Sequence, residues 1–455
     1  MRARGQGIVA LAFALVLVGA GLGAARLGPK APGPAQPGEA PSGAWLCPHG
    51  GGTGWAATVT LANPGPRDVA VRLTSLSSAG ARPPVWVRVP AGAEVAQTVR
   101  ADQRSSATFV EYFGGWIAAG WTVRAGGGES GLGAEPCAAA TAASSIAGDN
   151  DTEKGQDAYV VVMNPFAATA IVNVVLYTPD RAPIRSSSWT DLTVPPRRSV
   201  ALRLNDEIPG ETAVAAELTV TAGRVAMASL GVSSSGGVRS ALATDAVRGT
   251  VVLPVAGGAG QSQLLVTVPN RGASPALRGT ILTGTQPSPV NGLIGATQGP
   301  ETVRVYPVLT RGPAAVVVTA RGAAIAAALR STGPAHDDAA TGGVSVPAWS
   351  WVVPPTSSFS HTPHPGLVLV DPGTVAADVT LHLLAPDGAD PAADVTVHVP
   401  AGAVVAAPAG FLASAPGASV LVRAHGAPVV ALGASDSPVD GSVDYALAAG
   451  VPMPS

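Results

Sequence analysis

The chain has 455 residues, 47% of them apolar but only 4% aromatic and 12% charged, with 56 glycines and 42 prolines. A net charge of −2 supplies no basic face for nucleic acid, and the two cysteines form no Cys-x-x-Cys redox pair. The length accommodates three or four domains of roughly 100–200 residues, and Val-, Thr- and Leu-rich segments between Gly/Pro turns argue for many short strands and against disorder.

Met1-Arg2-Ala3-Arg4 is a short basic start, and residues 5–25 then carry no charge. At about 1.5 Å per residue this run can cross a bilayer core of about 30 Å, which reads as a membrane anchor over residues 1–26. The small residues of Val18-Gly19-Ala20 and Gly23-Ala24-Ala25 suit a cleaved signal peptide as well. The apolar run is longer than the usual signal core of about 7–15 residues, which favours the anchor. Both readings put the remainder outside the cytoplasm, held at the membrane or secreted. Residues 27–44, rich in Pro and Gly, read as a semi-extended tether.

Beyond the tether an apolar strand ending in an Asn/Asp turn recurs. It is Val59-Thr60-Leu61-Ala62-Asn63-Pro64, then Tyr159-Val160-Val161-Val162-Met163-Asn164-Pro165, then Leu265-Val266-Thr267-Val268-Pro269-Asn270, and last Leu367-Val368-Leu369-Val370-Asp371-Pro372. The Asn/Asp positions are spaced 101, 106 and 101 residues apart, too long for a solenoid repeat and about one small domain. Four modules follow, at 45–148, 149–248, 249–346 and 347–455. Behind each turn comes a period-two strand such as Val69-x-Val71-x-Leu73, which puts one face on a core. A Val-Pro turn follows at Val89-Pro90, Val194-Pro195 and Val399-Pro400, with Gly299-Pro300 in the third copy. Two apolar arms around Gly114, Gly223, Gly322 and Gly426 read as a hairpin in each copy. Six or seven strands per module predict an all-β tandem array of immunoglobulin-like β-sandwiches, with no long helix after Ala44. The module starts at Trp45-Leu46-Cys47-Pro48, Val251-Val252-Leu253-Pro254 and Trp351-Val352-Val353-Pro354 match, whereas the second copy begins Ser144-Ser145-Ile146-Ala147-Gly148. That alternation suggests modules paired first with second and third with fourth.

Cys47 and Cys137 frame module one, and in an exported protein two lone cysteines so placed predict a disulfide. Closing about ninety residues would constrain the unfolded chain by roughly 4–5 kcal/mol in the entropy model. The combination of N-terminal apolar segment, Pro-rich tether, Trp45-Leu46-Cys47-Pro48, distant Cys137, Ser144-Ser145-Ile146-Ala147-Gly148, Asn164-Pro165 and Val194-Pro195 resembles a family of actinobacterial envelope proteins of unknown function. Where that family has an aromatic after the second serine, this chain has Ile146. The resemblance implies export and β-rich modules and carries no activity with it.

Candidate chemistry is sparse. Residues 149–157, Asp-Asn-Asp-Thr-Glu-Lys-Gly-Gln-Asp, have the alternate carboxylates of a calcium loop, but the glycine is one place late and Lys154 sits inside, so a solvated hairpin tip is expected. His361-Thr362-Pro363-His364 and His336-Asp337-Asp338 lack the ligand number and spacing of a zinc site and read as polar loops; His382 and His398 read as solvent-facing strand positions. No Gly-x-Ser-x-Gly elbow accompanies His49-Gly50-Gly51-Gly52, which reads as a flexible glycine turn. No catalytic residue, metal or cofactor is therefore expected. The uneven feature is aromatic, since five of eight tryptophans lie in module one. Two or three of them are expected in the core, while Trp55, Trp86, Tyr112, Trp116 and Trp121 are the candidates for a surface that stacks on sugar or anchors a protein. The expectation is a non-enzymatic extracytoplasmic envelope protein that supports or binds something, cell-wall glycan or an envelope protein, with an enzyme or enzyme accessory acting on envelope polymer as the alternative.

Overall fold

A computed structural model describes residues 42–455 except 235, 256–260, 270–273, 285, 311, 333–337, 357–363, 387–392, 440–441 and 455. The predicted anchor or signal segment, most of the tether, the Asn270 turn, His336 and His361 lie outside the described residues.

In module one, the alternation of apolar and polar residues yields eight strands: β1 (Gly43–Cys47), β2 (Ala56–Asn63), β3 (Val69–Leu76), β4 (Val85–Val89), β5 (Ala93–Val99), β6 (Ala107–Phe113), β7 (Ala118–Arg124) and β8 (Leu132–Pro136). They form two antiparallel sheets, ordered β1-β6-β3-β4 and β5-β2-β7-β8. Val69, Val71 and Leu73 point into the space between them and are buried, as their period of two requires. The disulfide joins Cys47 at the end of β1 to Cys137 just past β8, tying one sheet to the other.

Module two repeats the arrangement with β9 (Ser144–Asn150), β10 (Gln156–Asn164), β11 (Ala170–Tyr177), β12 (Leu192–Val194), β13 (Arg198–Arg203), β14 (Val214–Ala222), β15 (Ala226–Ser233) and β16 (Val238–Leu242). Its sheets run β9-β14-β11-β12 and β13-β10-β15-β16. The first strand of this module starts at Ser144, not at 149. Module three comprises β17 (Val247–Val255), β18 (Gln261–Val268), β19 (Ala276–Leu282), β20 (Ser288–Pro289), β21 (Ala296–Thr297), β22 (Thr302–Val308), β23 (Ala314–Thr332) and β24 (Asp338–Gly342). Module four comprises β25 (Ser350–Val353), β26 (His364–Val370), β27 (Ala377–Leu384), β28 (Val395–Val399), β29 (Val404–Ala406), α1 (Ala409–Ala413), β30 (Ser419–His425), β31 (Val430–Val439), β32 (Ser442–Ala449) and β33 (Val451–Pro452). The five residues of α1 are the longest helix among the described residues, and none is long and apolar enough to cross a membrane.

The four glycine turns have φ of +90°, +76°, +98° and +89° at Gly114, Gly223, Gly322 and Gly426, yet they are not hairpins. The strands they join belong to opposite sheets: β6 pairs with β1 and β3, while β7 pairs with β2 and β8. In module three the crossing is one continuous strand, β23, whose first half pairs with β17 and β19 and whose second half pairs with β18 and β24. Glycine between two apolar arms marks the place where the chain passes from one set of partner strands to the other, and the choice of partner is made by the sheets.

The Asn turn and the Val-Pro turn repeat together because one side chain joins them. Asn63 Nδ2 donates to the carbonyls of Arg67, Val89 and Pro90, and its Oδ1 accepts from Gly65 N. Asn164 makes the equivalent set to Ala168, Val194 and Pro195, and accepts from Phe166 N. At the same place module four has Asp371, which accepts from Gly373 N but leaves Oδ2 buried without a partner.

The modules close into a ring. The carbonyl after the third strand of each module accepts from a later strand of the next, β13, β22 or β29: Ser77 O from Ser199 N at 3.3 Å, Thr178 O from Val303 N at 3.5 Å, and Thr283 O from Val404 N at 3.4 Å. Ala385 O, at that place in module four, accepts from Glu94 N of module one at 3.3 Å. Every module thus has an equivalent joint on each side, so the expected pairing of modules is replaced by a cycle. Apolar clusters cross the joints, with Trp55 and Val123 meeting Leu230 and Val238, Ile146 and Tyr177 meeting Leu265 and Val303, Leu282 joining the core of module four, and Val352 and Leu421 joining that of module one. Around the axis β8 packs on β16 and β32, and β24 packs on the same two strands. Small residues are needed there: a Cβ on Gly133 would meet Ser240 Cβ at 3.2 Å, one on Gly342 would meet Thr244 Cγ2 at 2.8 Å, and one on Gly131 (φ +124°) would collide with the Val238 nitrogen.

The closing joint carries a buried acid. Glu94 Oε2 accepts from Ser419 N at 2.6 Å, and burial pushes its carboxyl up to about 7. A raised carboxyl stabilises the fold fully below its unfolded value of about 4.5, and that stabilisation is lost as pH rises through 7. Glu94→Gln retains an acceptor for Ser419 N, so it is expected to match the wild type in urea denaturation at pH 4.5 and to exceed it at pH 8 by up to about 3 kcal/mol. Equal stability at both values would show that the joint does not feel the charge. Asp371→Asn is expected to restore the donor present in modules one and two and to raise stability by about 1–2 kcal/mol at pH 7, read from the same denaturation curves.

Candidate functional site

The outward face of the β1-β6-β3-β4 sheet holds the exposed aromatic surface of module one. In β4 the alternation buries Val89 and turns Trp86 and Arg88 outward. Cross-strand register sets Trp86 opposite Arg72, Arg72 opposite Glu111, and Phe113 opposite Ala70. Trp86 is 58% exposed and Phe113 39%, with ring centroids 5.8 Å apart and planes tilted by 35°. Arg72 Cζ lies 5.8 Å from the Trp86 ring, and its Nε and Nη2 donate to the two oxygens of Glu111 at 2.7 and 2.6 Å. The bidentate pair fixes the guanidinium beside the indole, so a flat apolar ledge borders a row of donors and acceptors. Arg88 and Asp68 form a second ion pair on the same sheet.

The other candidate aromatics lie elsewhere. Trp121 is 1% exposed and packs in the core of module one, while a Cβ on the neighbouring Gly120 would meet Pro354 of module four. Trp55 is buried, with Nε1 donating to Glu129 Oε2 at 2.7 Å and the Arg104 guanidinium 4.9 Å from its ring. Arg104 also lies 5.3 Å from the Tyr159 ring, so this cluster fastens module one to module two. Tyr112 is buried between the sheets. Trp116 is half-buried, edge-on to the buried Trp45 at 6.1 Å, and lines a recess of about 200 Å³ with residues 63–67 and Met453. Trp55, Tyr112 and Trp121 therefore contribute no surface, because aromatic content does not reveal which side of a strand is covered. Arg72 and Glu111 escaped the sequence reading; their signal is cross-strand register.

Of the expected solvated loop at 149–157, the tip Glu153-Lys154-Gly155 is exposed, while residues 149–152 enter a buried ionic cluster. Asp149, Asn150, Asp151 and Thr152 are all buried. Arg330, from the second half of β23, donates from Nε to Asp149 Oδ1 at 2.6 Å and from Nη2 to Asn150 O at 3.2 Å, with Nη1 3.4 Å from Asp151 Oδ2. Arg239 Nε lies 3.4 Å from Asp149 Oδ2, and its Nη1 donates to Asp338 Oδ2 at 2.8 Å. Guanidinium groups from modules two and three occupy the carboxylates that resembled a calcium loop. His49-Gly50-Gly51-Gly52 is also buried and packed, with a Cβ on Gly50 meeting Leu230 of module two at 2.6 Å. Burial lowers the His49 imidazole to about 4, and its Nε2 lies 3.0 Å from Thr108 Oγ1. His382 and His398 pair with Asp394 and Asp378 at 2.7 and 2.8 Å. Among the described residues no three His, Cys, Asp or Glu side chains are grouped to hold a metal.

These features define an extended class: four β-sandwich modules closed into a ring, with an aromatic ledge on the outer face of the first. Residues 111–348 match the family of unknown function DUF5719, and the chain belongs to that family. No curated protein matches the chain.

The buried cluster gives a direct contrast. Arg330→Ala leaves Asp151 without its arginine and Asp149 with Arg239 alone between two modules and is expected to cost about 3–5 kcal/mol, whereas Arg88→Ala, which removes an exposed pair, is expected to cost less than about 1 kcal/mol. Denaturant midpoints of the two variants check the difference.

Proposed function

We propose that this is a non-enzymatic extracytoplasmic protein of an actinobacterial cell envelope that binds cell-wall glycan through the outer face of module one. The observation that carries the reading is the exposed Trp86–Phe113 pair beside the Arg72–Glu111 ion pair. Sugar rings present flat C–H faces bordered by hydroxyls. An aromatic ledge accepts the first by apolar contact, while a guanidinium–carboxylate pair can donate to and accept from the second. The uncharged run at 5–25 and the inter-sheet disulfide support export, either to a membrane-anchored or to a secreted form. The ring would then hold the ledge at the surface as a rigid support.

The test is sedimentation of the protein with insoluble cell-wall polymer. Wild type is expected to bind saturably, and Trp86→Ala to bind at least about tenfold more weakly with near-UV circular dichroism unchanged. Failure of wild type to sediment, or equal binding by the variant, would remove the glycan assignment.

A further inference from the structure

The four axial strands end together, and beyond their C-terminal ends the ring axis opens into a cavity of about 430 Å³. Every module contributes to its wall: Glu135 from the first, Leu242 and Asp245 from the second, Val251 and Val344 from the third, and Trp351 from the fourth. The volume falls within the roughly 300–1,000 Å³ of small-molecule sites, and the wall is predominantly apolar, as such sites are. Val346, 69% exposed, also lines it and puts an apolar residue where the cavity meets solvent.

One polar group within is out of place. Glu135 is 2% exposed, and its Oε1 is buried without a hydrogen-bond partner. It pairs in register with Trp121; the corresponding places in modules two and four, opposite Ser229 and Gly433, hold Ala241 and Ala448. Packing around the axis therefore does not require a carboxyl there. Thr341 and the backbone of Leu242 and Gly342 face the acid, but burial outweighs them and holds its carboxyl well above the usual carboxylate range. Among the described residues lining the cavity, Glu135 and Asp245 are the charged ones, and both are acidic.

We propose that the axial cavity is a binding site for a small apolar ammonium compound, whose charged nitrogen donates to Glu135 and whose hydrocarbon part lies among Leu242, Val251, Val344 and Trp351. An N–H donor satisfies the orphan oxygen, and a positive charge is what an apolar chamber with two acids accepts. This site is independent of the glycan reading, since it lies on the axis and uses none of the ledge residues.

Octylammonium, octanol and octanoate, which share one chain length, are the probes, titrated into the full-length protein by calorimetry at pH 7. Octylammonium is expected to bind one per chain, at least about tenfold tighter than octanol, and octanoate to give no heat of binding. Glu135→Gln is expected to abolish the preference for octylammonium over octanol. Absence of saturable binding, or equal binding of octylammonium and octanol, would overturn the proposal, and each is read on the wild-type protein whether or not the variant folds.

Discussion

The architecture depends on one joint made four times, in which the carbonyl just past a module's third strand meets an amide of β5, β13, β22 or β29 in the next module. At 3.3 to 3.5 Å each bond is long and contributes little alone. Its value is positional: four copies with equal geometry turn a tandem chain into a cycle, and the last joins Ala385 to Glu94 across most of the sequence. Closure brings β8, β16, β24 and β32 to a common axis, and that approach requires small residues on those strands. A larger side chain at Gly133 or Gly342 would push neighbouring modules apart, and interiors packed to crystal-like density have no slack to absorb it.

Closure also converts surfaces into interiors. Asp149 and Arg330 are 181 residues apart and make a buried ion pair because modules two and three face each other. Trp55, Arg104, Glu129 and Tyr159 join modules one and two in the same way. Such groups are poor sources of net stability but are costly to disrupt singly, so they specify which faces meet. His49, Glu94 and Glu135 show the other side of this: each is a titratable group that closure or packing has desolvated, and each is displaced toward its neutral form.

Two surfaces differ from this pattern of mutual covering. The Trp86–Phe113 ledge remains exposed although the same module buries Trp45, Trp55 and Trp121, and the axial cavity remains open although the strands around it are close-packed. One is a convex apolar face with an ion pair beside it, the other a concave apolar chamber with an orphan acid. The proposals for glycan on the first and an apolar ammonium on the second follow from those two chemistries.

Much of the module was legible in one dimension, because the signals are local. Period-two alternation at Val69, Val71 and Leu73 identifies a strand with one buried face, glycine at 114, 223, 322 and 426 supplies the positive φ between two apolar arms, and the near-constant spacing of Asn63, Asn164, Asn270 and Asp371 counts modules. The Asn and Val-Pro landmarks recur together because the amide of one bonds the carbonyls of the other. Alternation, however, says which face is covered and not by what. The glycine turns therefore looked like hairpins although they cross between sheets, the acidic stretch from Asp149 looked solvated although arginines from modules two and three cover it, and Trp121 looked as available as Trp86. The sequence by itself determined four all-β modules, their landmark turns and the cysteine pair. The ring, the burial of the charges and the choice of aromatics that reach solvent came with the tertiary structure, because each depends on groups distant in the chain: Arg330 lies 181 residues from Asp149, and Glu129 lies 74 from Trp55.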